Sequence, residues 1–273
     1  MDLLPRNSES CSFGPLSGGA RCRSTLKMSP SMSRSFASNT LAVVPVRAGS
    51  KGLPKKNVRS IAGKPLYQHA VEQAFRLVGK CVVTTDIVEI LNSPSISGET
   101  LVERPSEIAR DDTPMDAVLI HLLQLLKRRS ELPDHVLLLQ ATSPLRVDAD
   151  IEKAIELYSK GEFELLISVT DAEPSILKYG TISEGEFTPV SKPKYCFTNR
   201  QSLPKVYRPN GAIYLFSTEF FLRNGGLATN RIGAVIMPSE RSIDIDSEDD
   251  FIKVEKMMFD LRGHDAGDRA TGY

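Results

Sequence analysis

Short apolar runs alternate along residues 41–258 with longer segments in which apolar residues recur at helical spacing. The runs predict strands at 41–46, 81–86, 164–170, 212–217 and 233–238, and another that begins at 135 and continues into a polar loop ending at 146. The periodic segments predict helices at 65–78, 113–129, 148–161 and 246–258, with Thr113 as a cap and Gly161 as a stop. Strands that are apolar throughout and separated by helices are typical of a mostly parallel sheet covered on both faces. We therefore expect an α/β fold with a Rossmann-like sheet.

Three segments depart from this rhythm. Residues 1–40 contain ten serines, five basic residues and two acidic residues, a composition that predicts a disordered leader. Leaders rich in Arg and Ser and poor in acids are also typical of organelle transit peptides, so cytoplasmic, nuclear and organelle locations all stay open. Residues 171–207 are rich in Pro, Gly and Tyr and predict a small inserted lobe with a hairpin, and 259–273 predict a disordered tail.

Composition narrows the class of protein. The 273 residues carry a formal net charge of +0, so no global positive charge favours nucleic acid as a partner. No apolar run approaches the roughly 18 residues that a membrane-spanning helix requires. The cysteines Cys11, Cys22, Cys81 and Cys196 show neither C-x-x-C nor metal-ligand spacing, which favours reduced thiols.

The segment 46–57, "VRAGSKGLPKKN", places four cations among glycines directly after the first predicted strand. Glycine lets the backbone approach a ligand closely, and exposed N–H groups with nearby cations bind anions such as phosphate. The spacing matches neither G-x-x-x-x-G-K-[ST] nor G-x-G-x-x-G. A solvated surface loop is the plain alternative, but ligands of parallel sheets bind at the carboxyl ends of strands, which favours a phosphate site.

The segment 242–246, "SIDID", alternates isoleucine with aspartate. In an extended segment Asp244 and Asp246 would share one face, about 7 Å apart, and could converge on one hard cation. Mg²⁺ prefers one or two carboxylates together with water and substrate phosphates. The alternative is that Asp246 or Ser247 caps the following helix, which would leave Asp244 unexplained.

Five segments together resemble the signatures of the acylneuraminate cytidylyltransferases, the CMP-sialic acid synthetases. They are "RAGSKGLPKKN" (47–57), "ERPSEIARDDTP" (103–114), "QATSPLR" (140–146), "RPNGAIY" (208–214) and "SIDIDSEDD" (242–250). The resemblance covers residues 41–258. It implies transfer of CMP from CTP to the anomeric hydroxyl of a sialic acid, dependence on Mg²⁺, and a homodimer in which 171–207 exchanges contacts.

The resemblance also implies roles for individual residues. The implied catalytic residues are Lys56, which would hold the α-phosphate or the leaving pyrophosphate, together with Arg47 and Gln140. The implied nucleotide-binding residues are Arg47, Ser50, Lys51, Lys56, Asn57 and Arg104. The implied sugar-binding residues are Gln140, Arg200, Arg208 and Tyr214, and the implied Mg²⁺ ligands are Asp244 and Asp246. Ser143 and Arg146 are as readily explained by a structural turn or cap.

Two alternatives remain open at this point. Another ulosonate, such as a deaminated, legionaminate-type or octulosonate sugar, could be the acceptor, although "SKGLPKKN" favours the sialic branch over octulosonate. A non-catalytic sugar-nucleotide-binding protein could also keep this fold. The segment 86–105 is short and rich in Ser and Pro, which predicts a shortened helix and a looser nucleotide pocket.

Overall fold

The computed structural model of the chain describes residues 36–49, 52–95 and 97–270, the side chains of 261–270 excepted. Its strands are β1 (Thr40–Val46), β2 (Ser60–Ile61), β3 (Lys64–Pro65), β4 (Cys81–Thr85), β5 (Thr100–Glu103), β6 (His135–Leu139), β7 (Leu165–Ala172), β8 (Gly180–Ser183), β9 (Glu186–Pro189), β10 (Val206–Ser217) and β11 (Ile232–Ile236). Its helices are α1 (Leu66–Val78), α2 (Val88–Leu91), α3 (Met115–Arg128), α4 (Asp148–Tyr158), α5 (Thr218–Asn224) and α6 (Glu248–Ala270). Within the described residues, no helix combines the length and the apolar character needed to cross a bilayer.

The main sheet confirms the mostly parallel α/β fold. Its strands lie in the order β11-β7-β10-β6-β1-β4-β5. Strand β10 runs antiparallel to both of its neighbours, and every other adjacent pair in the sheet is parallel. The carboxyl ends of β1, β4 and β6 therefore meet at one edge of the sheet, where α/β proteins bind their ligands.

Helices cover both faces of this sheet because successive strand residues point to opposite sides. On one face, Val44 of β1 belongs to a buried cluster that includes residues of α1 and α4. On the other face, Val43 belongs to a buried cluster that includes residues of α3 and α5. Both valines are fully buried, which explains why the strands are apolar throughout.

Several element ends differ from the sequence-based expectation. Helix α3 begins after Pro114, where no side chain caps it, so the predicted cap at Thr113 is wrong. Gly161 does adopt the left-handed conformation (φ +76°) just beyond α4. Helix α5 was not predicted, since its seven residues are too few for helical spacing to show. Ser217 begins this helix, its side chain accepting a hydrogen bond from the Phe220 amide.

The predicted boundaries of the two termini also shift. Residues 1–35 of the predicted leader lie outside the described residues. Phe36 belongs to the fold, because its ring stacks on His135 at a centroid distance of 4.5 Å. Helix α6 continues to Ala270, beyond the predicted end at Met258.

Between β4 and β5, helix α2 has four residues, as the shortened segment predicts, and β5 is retained as an edge strand.

The excursion predicted at 171–207 occupies 173–205, between the end of β7 and the start of β10, and is called the lobe below. It contains the predicted hairpin, formed by β8 and β9, which pair as a separate two-stranded sheet. Short 3-10 helices at Pro174–Lys178, Pro193–Phe197 and Arg200–Ser202 complete the lobe. Its backbone therefore stands apart from the main sheet.

A third buried cluster, called the loop core below, lies under α6 and outside the main sheet. It joins Leu53, Leu145 and Ile245, which come from three separate loops, to Phe251 and Val254 of α6. The guanidinium of Arg59 lies 4.2 Å from the centre of the Phe251 ring and pairs with Glu248, which adds polar contacts to the same helix. The first turns of α6 thus hold together the loops at one edge of the sheet.

We predict that Phe251→Ala lowers the free energy of unfolding by about 3–5 kcal/mol, because it removes a fully buried ring from the loop core. Denaturant unfolding measures the change. The matched control is Ile252→Ala, the next residue of α6, which is 57% exposed and should change stability by less than about 0.5 kcal/mol. Equal effects of the two substitutions would contradict the docking of α6.

Candidate functional site

A cavity of about 470 Å³ opens at the carboxyl ends of the parallel strands. Its walls are formed by the loops that follow β1, β5 and β6 and by the segment that precedes α6. The predicted site residues that line it are Arg47, Lys56, Asn57, Arg104, Gln140, Asp244 and Asp246. Arg47 and Asp246, which are 199 positions apart in the sequence, therefore meet in one cavity.

Lys56 is a buried cation in the cationic loop, with 7% of its surface exposed. Its ammonium group donates to the Ile245 carbonyl and, at 2.9 Å, to Asp246 Oδ1. The preceding residue, Lys55, takes a left-handed conformation with φ +55°, which turns the chain into a short 3-10 helix beginning at Lys56. The loop thus directs Lys56 inward, toward the aspartates.

Arg47 and Asn57 lie at the two ends of the same loop. The Asn57 side chain donates to the Arg47 carbonyl at 3.0 Å, which closes the loop on itself. The Arg47 guanidinium pairs with Asp111, a residue from the loop before α3 that also lines the cavity. Both partners are about one third exposed, so the pair contributes little to stability and can exchange for a ligand.

Asp244 and Asp246 face the cavity on either side of Ile245, which is fully buried. Ser247 and Asp250 begin α6, through a Ser247 Oγ–Asp250 Oδ2 bond of 2.6 Å and a return bond from the Asp250 amide. The cap is therefore Ser247, and the Asp246 side chain is left to the cavity. No group of three or more His, Cys, Asp or Glu that could hold a metal occurs among the described residues, so the two aspartates would need ligands from elsewhere.

The pKa of the Asp244 carboxyl group is raised above its usual value. Protein atoms around the cavity raise its pKa by burial, although its surface opens to the cavity. A hydrogen bond with Thr142 and the charge of Lys56 lower the pKa of Asp244, and the negative charge of Asp246 raises it. Two carboxylates that disfavour each other's ionised form are stabilised by a shared cation.

Arg104 lies on the opposite wall and is 5% exposed. Its Nη2 donates to the Thr84 carbonyl at 3.0 Å, while its Nε finds no partner among the described residues. Burial lowers the pKa of Arg104 to about 10, which leaves it charged at neutral pH. The Nε–H group of Arg104 is therefore suited to donate a hydrogen bond to a polar group bound in the cavity.

Gln140 follows β6 directly and is half-buried in the cavity wall. Tyr214 of β10 packs against the cluster beneath α3 and α5 and is not part of the cavity wall. The charge of Asp244 nevertheless helps to raise the pKa of Tyr214, after the larger effect of burial, so the two groups lie near each other.

Arg200 and Arg208 are not brought to the cavity within one chain. Arg200 lies in the lobe and forms a two-pronged pair with Glu173, at 3.0 and 2.6 Å. Arg208 lies exposed on β10, opposite Thr170 of β7. Ser50 and Lys51 lie outside the described residues. The roles of these four residues remain predictions.

Several residues that line the cavity were not predicted from the sequence, among them Asp111, Thr142 and Met115. Asp111 stands in a polar run, "RDD", that looks like solvated surface in the sequence. Its pairing with Arg47 depends on two loops that are 64 residues apart. The signal that could have found it is its position just before α3, at the same edge of the sheet as the other loops.

Comparison with known proteins supports the resemblance. Residues 41–252 match the protein-family profile described as Cytidylyltransferase. A Streptococcus agalactiae protein named N-acylneuraminate cytidylyltransferase is 31% identical over 231 residues, which cover 80% of this chain and 53% of that protein. A Legionella pneumophila protein named CMP-N,N'-diacetyllegionaminic acid synthase is 32% identical over 230 residues, which cover 80% of this chain and 95% of that protein. The chain thus spans about half the length of the first relative and nearly all of the second.

Solved structures share the fold at low sequence identity. A CMP:2-keto-3-deoxy-manno-octonic acid synthetase complexed with CTP superimposes with a TM-score of 0.61 at 16% identity, covering 81% of this chain and 99% of that chain. A 4-diphosphocytidyl-2C-methyl-D-erythritol synthase gives 0.56 at 13% identity, covering 80% and 97%. These likenesses show that the chain shares the α/β fold of the synthetase and the synthase.

We predict that Gly52→Ala destabilises the site, because a Cβ at position 52 would collide with the Asp246 carbonyl. The expected loss in free energy of unfolding is about 1–3 kcal/mol, measured by denaturant titration. The matched control is Gly49→Ala in the same loop, where the nearest atom, Asp111 Oδ1, would lie at an ordinary 3.6 Å. A Gly52→Ala protein as stable as the Gly49→Ala protein would contradict the close approach of the two loops.

Proposed function

Because the chain belongs to the cytidylyltransferase family, we propose that it transfers CMP from CTP to the anomeric hydroxyl of a sialic acid and releases pyrophosphate. The observation that carries the proposal is the meeting of Lys56, Asp244 and Asp246 in one cavity, which Arg47 and Arg104 also line. Cations that can hold phosphates stand there next to carboxylates that can hold a divalent ion.

The proposed reaction is an in-line displacement at phosphorus. The anomeric oxygen of the sugar forms a bond to the α-phosphorus, and the bond from that phosphorus to the α,β-bridging oxygen breaks. The bridging oxygen keeps the electron pair and leaves as pyrophosphate, and the hydroxyl proton passes to solvent. Such reactions are accelerated mainly by positioning and by neutralising charge on the phosphates.

Lys56 is the proposed residue for the phosphates at the reacting centre. Its ammonium group already lies inside the cavity, held by the Ile245 carbonyl and Asp246. A phosphate oxygen can replace Asp246 as its partner, since the Asp246 side chain is 76% exposed. Arg47 would exchange Asp111 for the outer phosphates in the same way, with Ser50 and Lys51 as the predicted remainder of this loop.

Asp244 and Asp246 are the proposed ligands of Mg²⁺. The donor set fits, because both aspartates line the cavity and Mg²⁺ in proteins is held by one or two carboxylates together with water and substrate phosphates. When bound, Mg²⁺ would neutralise charge on the triphosphate and favour departure of pyrophosphate. Ile245, which lies between the two aspartates and is buried in the loop core, holds this wall in place.

The sugar is proposed to lie near Gln140 and Tyr214. A second acceptor, an N,N'-diacetyllegionaminate-type sugar, is favoured by the relative that carries that name, because its alignment covers 95% of that protein. Both sugars are nine-carbon ulosonates with a carboxylate next to the anomeric carbon. Arg200 and Arg208 are the proposed partners of that carboxylate, since a guanidinium binds carboxylates through two parallel hydrogen bonds.

The distance of Arg200 from the cavity wall is explained if the lobe acts on a second copy of the chain. The lobe exposes large apolar side chains, namely Ile176, Tyr179, Ile182, Phe187, Val190 and Phe197, the last at 90%. Such a group of apolar side chains is typical of an interface. We therefore propose a homodimer in which the lobe of each copy packs against its partner.

We predict that pyrophosphate release from CTP requires both a nine-carbon ulosonate and Mg²⁺. Asp244→Asn and Lys56→Met should each lower kcat by about a hundredfold or more, because they remove charge from the reacting centre. The acids to compare are N-acetylneuraminate, its deaminated analogue, N,N'-diacetyllegionaminate and an octulosonate.

The control for this assay is Glu89→Gln, an exposed acid of α2 outside the cavity, which should retain full activity. The binding of CTP by every variant is measured by calorimetry. If the unmodified protein binds CTP but releases no pyrophosphate with any of the acids, the chain is a non-catalytic sugar-nucleotide-binding protein and the proposed function is wrong.

We predict that the double substitution Ile182→Asp and Phe197→Asp converts a dimer into a monomer. Sedimentation equilibrium at micromolar concentration measures the mass, and Val88→Asp, at a similarly exposed apolar residue on α2, should leave the dimer intact. A monomeric unmodified protein, or a dimer that survives the double substitution, would exclude the lobe as the interface.

A further inference from the structure

The pairing of strands β6 and β10 ends next to Gln140, which lines the cavity. Their antiparallel register pairs Tyr214 with Leu138 and Ile213 with Leu139. The next pair along the same register would be Ala212 and Gln140, but β6 ends at Leu139. The carbonyl groups of Gln140 and Ala212 lie at this end of the paired segment, and the Gln140 carbonyl accepts from the Ser143 amide of its own loop at 3.5 Å. A side-chain donor placed here can tie the two carbonyl groups together.

Arg146 supplies that donor. Its Nη1 donates to the Ala212 carbonyl at 2.6 Å and to the Gln140 carbonyl at 3.3 Å. One guanidinium nitrogen thus bridges the two carbonyl groups at the point where the strands separate. Arg146 lies six residues after Gln140, so the loop also folds back on its own first residue.

The guanidinium of Arg146 is enclosed by protein, with 4% of the residue exposed. Its Nε donates to Gln73 Oε1 of α1 at 2.8 Å, and the Gln73 amide returns a bond of 3.1 Å to the Arg146 carbonyl. Burial lowers the pKa of Arg146 to about 10, partly offset by Asp150 and Asp148, so the side chain stays charged at neutral pH.

Enclosing a charged group in this way is costly unless hydrogen bonds compensate it. A plain turn does not require an arginine at this position, because the turn is already closed by the bonds from the Ser143 amide to the Gln140 carbonyl and from the Arg146 amide to the Ser143 carbonyl. What only the side chain provides is the fixed spacing between Gln140 and Ala212. That spacing fixes the backbone of Gln140, which lines the cavity.

We propose that Arg146 is a positioning residue that fixes Gln140, and with it the sugar-acid side of the cavity. The inference deepens the proposed function and rests on it, since Gln140 is the residue proposed to orient the sugar. Arg146 itself does not line the cavity. The Arg146 side chain contacts Gln73, Gln140 and Ala212. Its effect should therefore fall on the sugar acid and leave the nucleotide unaffected, because these contacts include none of the residues proposed to hold the phosphates.

The test separates positioning from stability. Arg146→Lys keeps the charge but loses the planar array of donors. Gln73→Met keeps Arg146 itself and a side chain of similar volume, but removes the partner of Nε and the bonds that the Gln73 amide donates to the Arg146 carbonyl and to Asp148. Both variants should raise KM for the preferred sugar acid about tenfold, because a small misplacement of a contact group is costly. The Kd of CTP, measured by calorimetry without sugar, should stay within about twofold of the unmodified protein. Glu72→Gln is the matched control, since Glu72 lies on α1 next to Gln73 in sequence but pairs with Lys64.

Each outcome decides the inference. A raised KM for the sugar acid with unchanged CTP binding supports it, and Gln73→Met decides alone if Arg146→Lys does not fold. Folded variants that lose only stability, or that lose sugar and CTP binding equally, overturn it while the proposed function stands. If the unmodified protein transfers CMP to none of the acids, the proposed function and this inference both fail.

Discussion

The burial of Ile245 is the constraint on which the site depends. Its side chain is fully buried in the loop core with Leu53 and Leu145, so one residue joins three loops. Its amide donates to the Thr142 carbonyl at 3.0 Å, and its own carbonyl accepts from Lys56. With Ile245 held inward, the neighbouring aspartates must face the cavity.

The charges of the cavity are paired in a way that suits exchange with a ligand. Lys56 pairs with Asp246, and Arg47 pairs with Asp111, and in each pair at least one side chain is about one third exposed or more. Exposed pairs contribute little stability, so a phosphate group can replace a carboxylate at small cost. The cations are therefore in place without a bound ligand, which would reduce the reorganisation that the proposed transfer requires.

The apolar pattern predicted most strands of the main sheet and the helices that cover it, because a strand buried on both faces must be apolar throughout. It failed where local pattern was weak. The short helix α5 and the edge strand β5 have too few residues to show a period. The sequence also offered Asp246 and Ser247 equally as the cap of α6, and the structure assigns the cap to Ser247. Residue types and spacing also predicted an anion-binding cationic loop and the pair Asp244 and Asp246, whereas the resemblance to the cytidylyltransferases singled out Lys56.

The sequence by itself determined the fold class, the edge of the sheet that carries the site, and the kinds of groups that meet there. Tertiary structure alone decided which of them touch. The pairs Arg47–Asp111, Gln73–Arg146 and Lys56–Asp246 join residues 64, 73 and 190 positions apart. Periodicity reports only on neighbours within a few turns of the chain, whereas these contacts depend on how separate loops pack around a common core.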